Sequence, residues 1–86
     1  MILTLEIPDY NVKEGFSFHW HDGYDLELKV EKGIVYLRGN KAGLASLANH
    51  LLNLAQDEIP SGYHIHLDGY GSFEDGSSEM IIEKTS

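Results

Sequence analysis

"NKAGLASLANHLLNLAQDEIP", residues 40–60, is the stretch in which apolar residues recur at intervals of three and four. Leu44, Leu47, Ala48, Leu51, Leu54 and Ala55 fall on one stripe of a 3.6-residue helix. Asn40 stands where an N-cap is wanted, and Pro60 follows the end. The spacing predicts a helix near residues 41–56. Gly43, in its first turn, is a poorer helix former than alanine by up to ~1 kcal/mol. A small residue there predicts that a strand or loop approaches closely. His50 adjoins the apolar stripe and is expected at its boundary.

On both sides of this stretch the period changes to two, the signature of strands. "ILTLEI" places Leu3, Leu5 and Ile7 on one side, and "FSFHW" sets Phe16, Phe18 and Trp20 against Ser17, His19 and then His21. "YDLELKVEK" alternates most cleanly, with Tyr24, Leu26, Leu28 and Val30 inward and Asp25, Glu27, Lys29 and Glu31 outward. "EKG" reads as a hairpin turn into "IVYLR". After the helix come "YHIHLD" and "SEMIIEK", in which Met80 and Ile82 oppose Glu79, Ile81 and Glu83. The Gly/Ser-rich loop "GYGSFEDGSS", residues 69–78, joins them.

The expected architecture is therefore a two-layer α+β fold in ββββαββ order, with residues 1–86 as one domain. One antiparallel sheet of about five to six strands carries one helix on one face. Its uncovered face would bear the polar alternates Thr4, Glu6, His19, His21, Glu27, Lys29, His64, His66 and Asp68. Exposed Ile81 or Tyr36 on such a face makes a two-fold homodimer an expectation.

The chain of 86 residues has no cysteine, which removes disulfides and thiolate zinc and suits a reducing cytoplasm. The opening "MILTLEIPDY" meets Glu6 and Asp9 early, unlike a signal peptide, and nothing approaches the ~20 apolar residues of a spanning helix. A net charge of −8 repels phosphate backbones and disfavours nucleic acid. The same charge draws a basic partner, mainly by speeding encounter.

Chemistry resides in the histidines. His64 and His66 share a strand face with Asp68, and His19 and His21 form a second alternating pair. If the two strands are neighbours, His19, His21, His64, His66 and Asp68 gather into a nitrogen-rich set suited to zinc, copper or nickel. That is the basis of an alternative reading, a histidine-rich metal protein or a small metal-dependent enzyme. The spacing matches no structural zinc pattern, and solvated or interface histidines are the simpler account. Catalytic signatures are lacking: there is no Gly-x-Ser-x-Gly elbow and no cysteine nucleophile. Ser72, Ser77 and Ser78 read as turn chemistry. Gly69, Gly71 and Gly76 do not precede a helix and cradle no phosphate. No enzyme activity and no cofactor are expected.

Three segments, "GNKAGLASLANHLLNLA", "HIHLD" and "GSSEMIIEK", together resemble the immunity protein 32 family, predicted immunity proteins of bacterial polymorphic toxin systems. The matching positions are Gly39, Asn40, Gly43, Leu44, Leu47, Leu54, Ala55, His64, His66, Leu67, Asp68, Gly76, Ser77, Glu79, Ile81 and Ile82. The resemblance covers roughly the C-terminal half; residues 1–23 match no pattern. It implies a protein that binds and neutralises a cognate toxin, and it brings no catalytic residues. The contact region expected for a basic toxin is the strand end and loop bearing His64, His66, Asp68, Glu74 and Asp75.

Overall fold

The computed structural model describes residues 1–69 and 71–86; Tyr70, part of the expected loop, lies outside them. Its elements run β1 (Leu26–Glu31), β2 (Ile34–Gly39), α1 (Lys41–Leu54), β3 (His64–Leu67) and β4 (Met80–Glu83). β1 and β2 pair antiparallel, as do β3 and β4, each pair forming its own two-stranded sheet.

The β1–β2 hairpin turns on Lys32 and Gly33, both at positive φ (50° and 77°). Two consecutive residues of that hand match the right-handed twist of the flanking strands. The helix begins as expected. The Asn40 side chain accepts from the Gly43 N–H at 2.8 Å and from the Asp25 N–H at 3.0 Å, and donates to the Gly23 carbonyl at 2.9 Å. One residue thus caps α1 and ties it to the entry of β1. Gly43 is buried where the Asp25 backbone passes, so the close approach predicted from its size is present.

The core lies where α1 meets the hairpins. Leu26, Leu28, Leu47, Leu67 and Phe73 are buried together, with Trp20, Tyr24, Met80 and Ile82 packed against them. Met80 and Ile82 face inward and Ile81 outward, as their alternation predicts.

Four expectations are corrected, the last concerning Val30. First, there is no single sheet of five to six strands: four strands form two separate pairs, in the order ββαββ. Second, "ILTLEI" and "FSFHW" do not form strands; an isolated bridge between Asn11 and Gly15 is the ladder contact in this region. They form an extended strap over α1, and four of its backbone groups bond side chains of α1 or of Gln56 just past it, while the Phe16 N–H donates to the Tyr63 hydroxyl. Asn49 Nδ2 donates to the Glu6 carbonyl (2.9 Å), Asn53 Nδ2 to that of Ser17 (2.9 Å) and Gln56 Nε2 to that of Pro8 (2.8 Å), while Ser46 Oγ accepts from the His21 N–H (2.8 Å). The polar face predicted to join His19 and His21 to His64 and His66 is therefore not one surface.

Third, the buried arc of α1 is rotated from the leucine stripe. Ser46, Asn49, His50 and Asn53 are enclosed beneath the strap, whereas Leu44 and Leu51 are about half exposed and Ala55 is exposed. The reason is the strap: its carbonyls need donors, and buried polar groups are tolerated where they supply them. Val30, expected inward, is exposed because the helix covers only the Leu26–Leu28 end of the hairpin.

Candidate functional site

The loop between β3 and β4 does not hang free. The Asp68 carbonyl accepts from the N–H groups of Ser72 (3.2 Å) and Phe73 (2.7 Å), closing its first turn. Phe73 then enters the core. The following backbone runs along the edge of β1: the Glu74 N–H donates to the Leu26 carbonyl at 2.8 Å and the Ser78 N–H to the Leu28 carbonyl at 2.9 Å. Ser77 Oγ accepts from the Leu28 N–H at 3.3 Å, a structural use of the serine read as turn chemistry. Gly76, at φ 83°, supplies the left-handed turn between these bonds.

This path sets Glu74 and Asp75 beside Asp25 and Glu27, the outward alternates at the start of β1. The Glu74 carboxyl is held above its ordinary range, first by the charge of Asp25, then by partial desolvation, a hydrogen bond to Asp25, and the charges of Asp75 and Glu27. Four carboxylates thus crowd one exposed surface. Beside them a shallow cleft of about 370 Å³ is lined by Asp25, Glu27, Arg38, Gly39 and Asn40. Arg38 is the basic residue within it, reaching Glu27 across the hairpin at 3.7 Å through a largely exposed side chain. A long, solvent-exposed ion pair neutralises little.

The structure brings only two of the expected contact residues, Glu74 and Asp75, into this cluster. Asp25 and Glu27 join them unforeseen; their outward alternation was visible, but their meeting with the loop was not. Asp68 is half-buried at the loop's base. His64 and His66 project from the exposed face of β3, with ring centroids 5.1 Å apart, between the buried Ile65 and Leu67. His66 Nδ1 lies 3.2 Å from Glu79 Oε2, and His64 Nδ1 lies 3.2 Å from the Gly62 carbonyl.

The other histidine pair sits in the strap, its rings 5.2 Å apart. Its neighbour is His50, which is fully buried rather than at a boundary. His50 is edge-on to Trp20 (4.3 Å) and Phe18 (5.1 Å), and neither ring nitrogen has a hydrogen-bond partner. Burial, and then His19 and His21, push its pKa down to about 4. Among the described residues no three His, Asp or Glu side chains assemble into a metal-holding group, so the set His19, His21, His64, His66 and Asp68 is not formed.

The arrangement offers an anionic surface for ammonium and guanidinium groups, built on a hairpin and a loop bonded to it. No described helix is long and apolar enough to cross a membrane. A family model described as Immunity protein 32 matches residues 34–85, from β2 almost to the C-terminus. Neither a curated protein nor a solved structure matches the chain.

Proposed function

The chain belongs to the immunity protein 32 family, and from that premise we propose that it binds a cognate toxin and neutralises it by occlusion, without turnover. The contact surface in this reading is the carboxylate cluster Asp25, Glu27, Glu74 and Asp75, and the toxin face it meets is basic. The observation that carries the reading is the path of the β3–β4 loop, whose Glu74–Leu26 and Ser78–Leu28 backbone bonds set Glu74 and Asp75 beside Asp25 and Glu27; the upward push on the Glu74 carboxyl accompanies that crowding. Like charges packed on an exposed surface disfavour their own ionisation, and a cationic partner relieves that cost on binding. The overall charge of −8 acts in the same direction at longer range. The toxin is met in the cytoplasm. His64 and His66, with Asp68 at the loop base, form a second contact region to be tested separately.

The test is co-expression with the neighbouring toxin, scoring survival and melting temperature for each variant. Glu74→Gln and Asp75→Asn, singly and with Asp25→Asn, are expected to keep the fold and lose protection. Their association rates should fall, and the wild-type rate should drop more steeply with salt than theirs. His64→Ala and His66→Ala report on the second region. If every folded cluster variant protects fully, the cluster is not the contact surface. If the wild type protects against no neighbouring toxin, the immunity reading fails.

A further inference from the structure

The two edges of the β1–β2 hairpin are treated differently. The β1 edge is sealed by the loop through the Glu74, Ser77 and Ser78 bonds already described. The β2 edge has no backbone partner among the described residues. All six residues of β2 are exposed, including Ile34, Val35, Tyr36 and Leu37. Natural sheets blunt a free edge with charged side chains, proline or a bulge; β2 has neither proline nor bulge, and its single charge, Arg38, lies near its C-terminal end. We propose that this edge pairs antiparallel with the β2 edge of a second copy, forming a four-stranded sheet across a two-fold axis at Tyr36.

The register follows from the hairpin. The turn closes with Ile34 bonded to Glu31, so Ile34, Tyr36 and Arg38 direct their backbone groups to β1. Val35, Leu37 and Gly39 direct theirs outward. A two-fold axis at Tyr36 sets Val35 opposite Leu37 of the second copy, and Leu37 opposite its Val35. Each of these is a doubly hydrogen-bonded pair, apolar on apolar. Tyr36 meets its own counterpart at the closer, non-bonded position.

Charge argues for a second copy as the occupant. Four of the six basic residues, Lys29, Lys32, Arg38 and Lys41, lie within residues 29–41, which hold one acid, Glu31. The rest of the molecule is strongly acidic, so this edge is where two copies approach without acidic faces opposed; the like-charged basic segments do not themselves attract, and the selection of a second copy rests on the pairing of Arg38 with Glu31. The same register sets Arg38 opposite Ile34 of the second copy, whose neighbour one strand further is Glu31. Two strand spacings, about 10 Å between backbones, lie within the combined reach of an arginine and a glutamate. Glu31 has no ion pair among the described residues, and Arg38 is bound only loosely to Glu27. The edge is thus complementary to itself, and a two-fold contact closes without further growth.

The mass is measured on the isolated protein by light scattering and sedimentation from 5 to 200 μM, without any toxin. The expected result is a dimer at the upper concentrations. Val35→Pro removes an outward N–H and leaves the bonds to β1 intact; it should give a monomer with unchanged circular dichroism, whereas Tyr36→Phe should stay dimeric. The chain has no cysteine, so Tyr36→Cys should cross-link to itself on mild oxidation and Val35→Cys should not. A wild type that is monomeric at every concentration overturns the proposal and leaves the edge to a strand of another protein. A folded Val35→Pro variant that remains a dimer, or cross-linking at Leu37→Cys in place of Tyr36→Cys, also overturns it.

Discussion

The backbone carbonyl of Asp25 occupies the space in which a side chain at Gly43 would begin. Gly43 therefore sits in a helix, where alanine is intrinsically better by about 1 kcal/mol, because β1 enters against it. The neighbouring Asn40 bonds fix that entry from both sides.

Gly43→Ala should consequently destabilise the protein despite the gain in helix propensity. Overpacking against main-chain atoms costs about 1–3 kcal/mol or more, and a domain of this size loses about 4–8 °C of melting temperature per kcal/mol. A drop of at least about 5 °C is expected in a thermal melt. A variant that melts at or above the wild type would show that the helix and β1 can separate without cost.

The carboxylate cluster should trade stability for binding. A glutamate whose folded pKa lies above its unfolded value of 4.5 penalises the folded state when ionised. The penalty is absent below the unfolded value, grows as pH rises through the folded value, and is complete at neutral pH. Glu74→Gln should therefore melt slightly higher than wild type at pH 7, with the difference shrinking as pH falls toward 4. The same variant should bind the toxin less well. Urea titrations at several pH values, paired with a binding measurement, check both halves; a Gln variant less stable at pH 7 would contradict the first.

His50 works with the opposite sign. Its unfolded pKa is 6.5 and its folded value about 4, so the folded state holds the ring neutral while the unfolded chain takes up a proton. Its contribution is fully present above pH 6.5 and is lost as pH falls from there through about 4. Integrated over that window, the loss is roughly 3 kcal/mol. Carboxylates titrate in the lower part of the same range, so the informative quantity is the difference from His50→Leu. That variant also removes two unsatisfied buried nitrogens, a change expected to be near neutral at pH 7.5. Its advantage over wild type should then widen as the solution is acidified. A stability difference that stays constant between pH 7.5 and 4 would refute the account.

Local chemistry was legible wherever a residue's role depends on its neighbours in the chain. Asn40 as a cap, Gly43 as a point of close approach, the turn between Glu31 and Ile34, and the inward Met80 and Ile82 all follow from short-range pattern. The strap did not, because "ILTLEI" and "FSFHW" satisfy a period of two without a strand to pair with. An extended segment needs partners for its carbonyls, and alternation does not say whether these are ladder bonds or the amides of Asn49, Asn53 and Gln56. The same blind spot hid the burial of His50, which follows from what the strap lays over it. At the site, Glu74 and Asp75 were visible as loop charge. Their meeting with Asp25 and Glu27 depends on the Glu74–Leu26 and Ser78–Leu28 bonds, which join distant parts of the chain.

The grip of α1 on the strap has a consequence for how this architecture tolerates change. Asn49, Asn53 and Gln56 hold carbonyl oxygens of Glu6, Ser17 and Pro8, and every amino acid brings the same carbonyl. At those three points the route is dictated without reading the strap's side chains, whereas elsewhere side chains hold it, as where Tyr10 and Phe16 meet the Tyr63 ring. Substitutions at Glu6, Pro8 and Ser17 can therefore leave these three bonds in place, so long as the three amides remain. The coding burden for these three bonds rests on α1 and the residues just past it, inside residues 34–85, the span in which the family is recognisable.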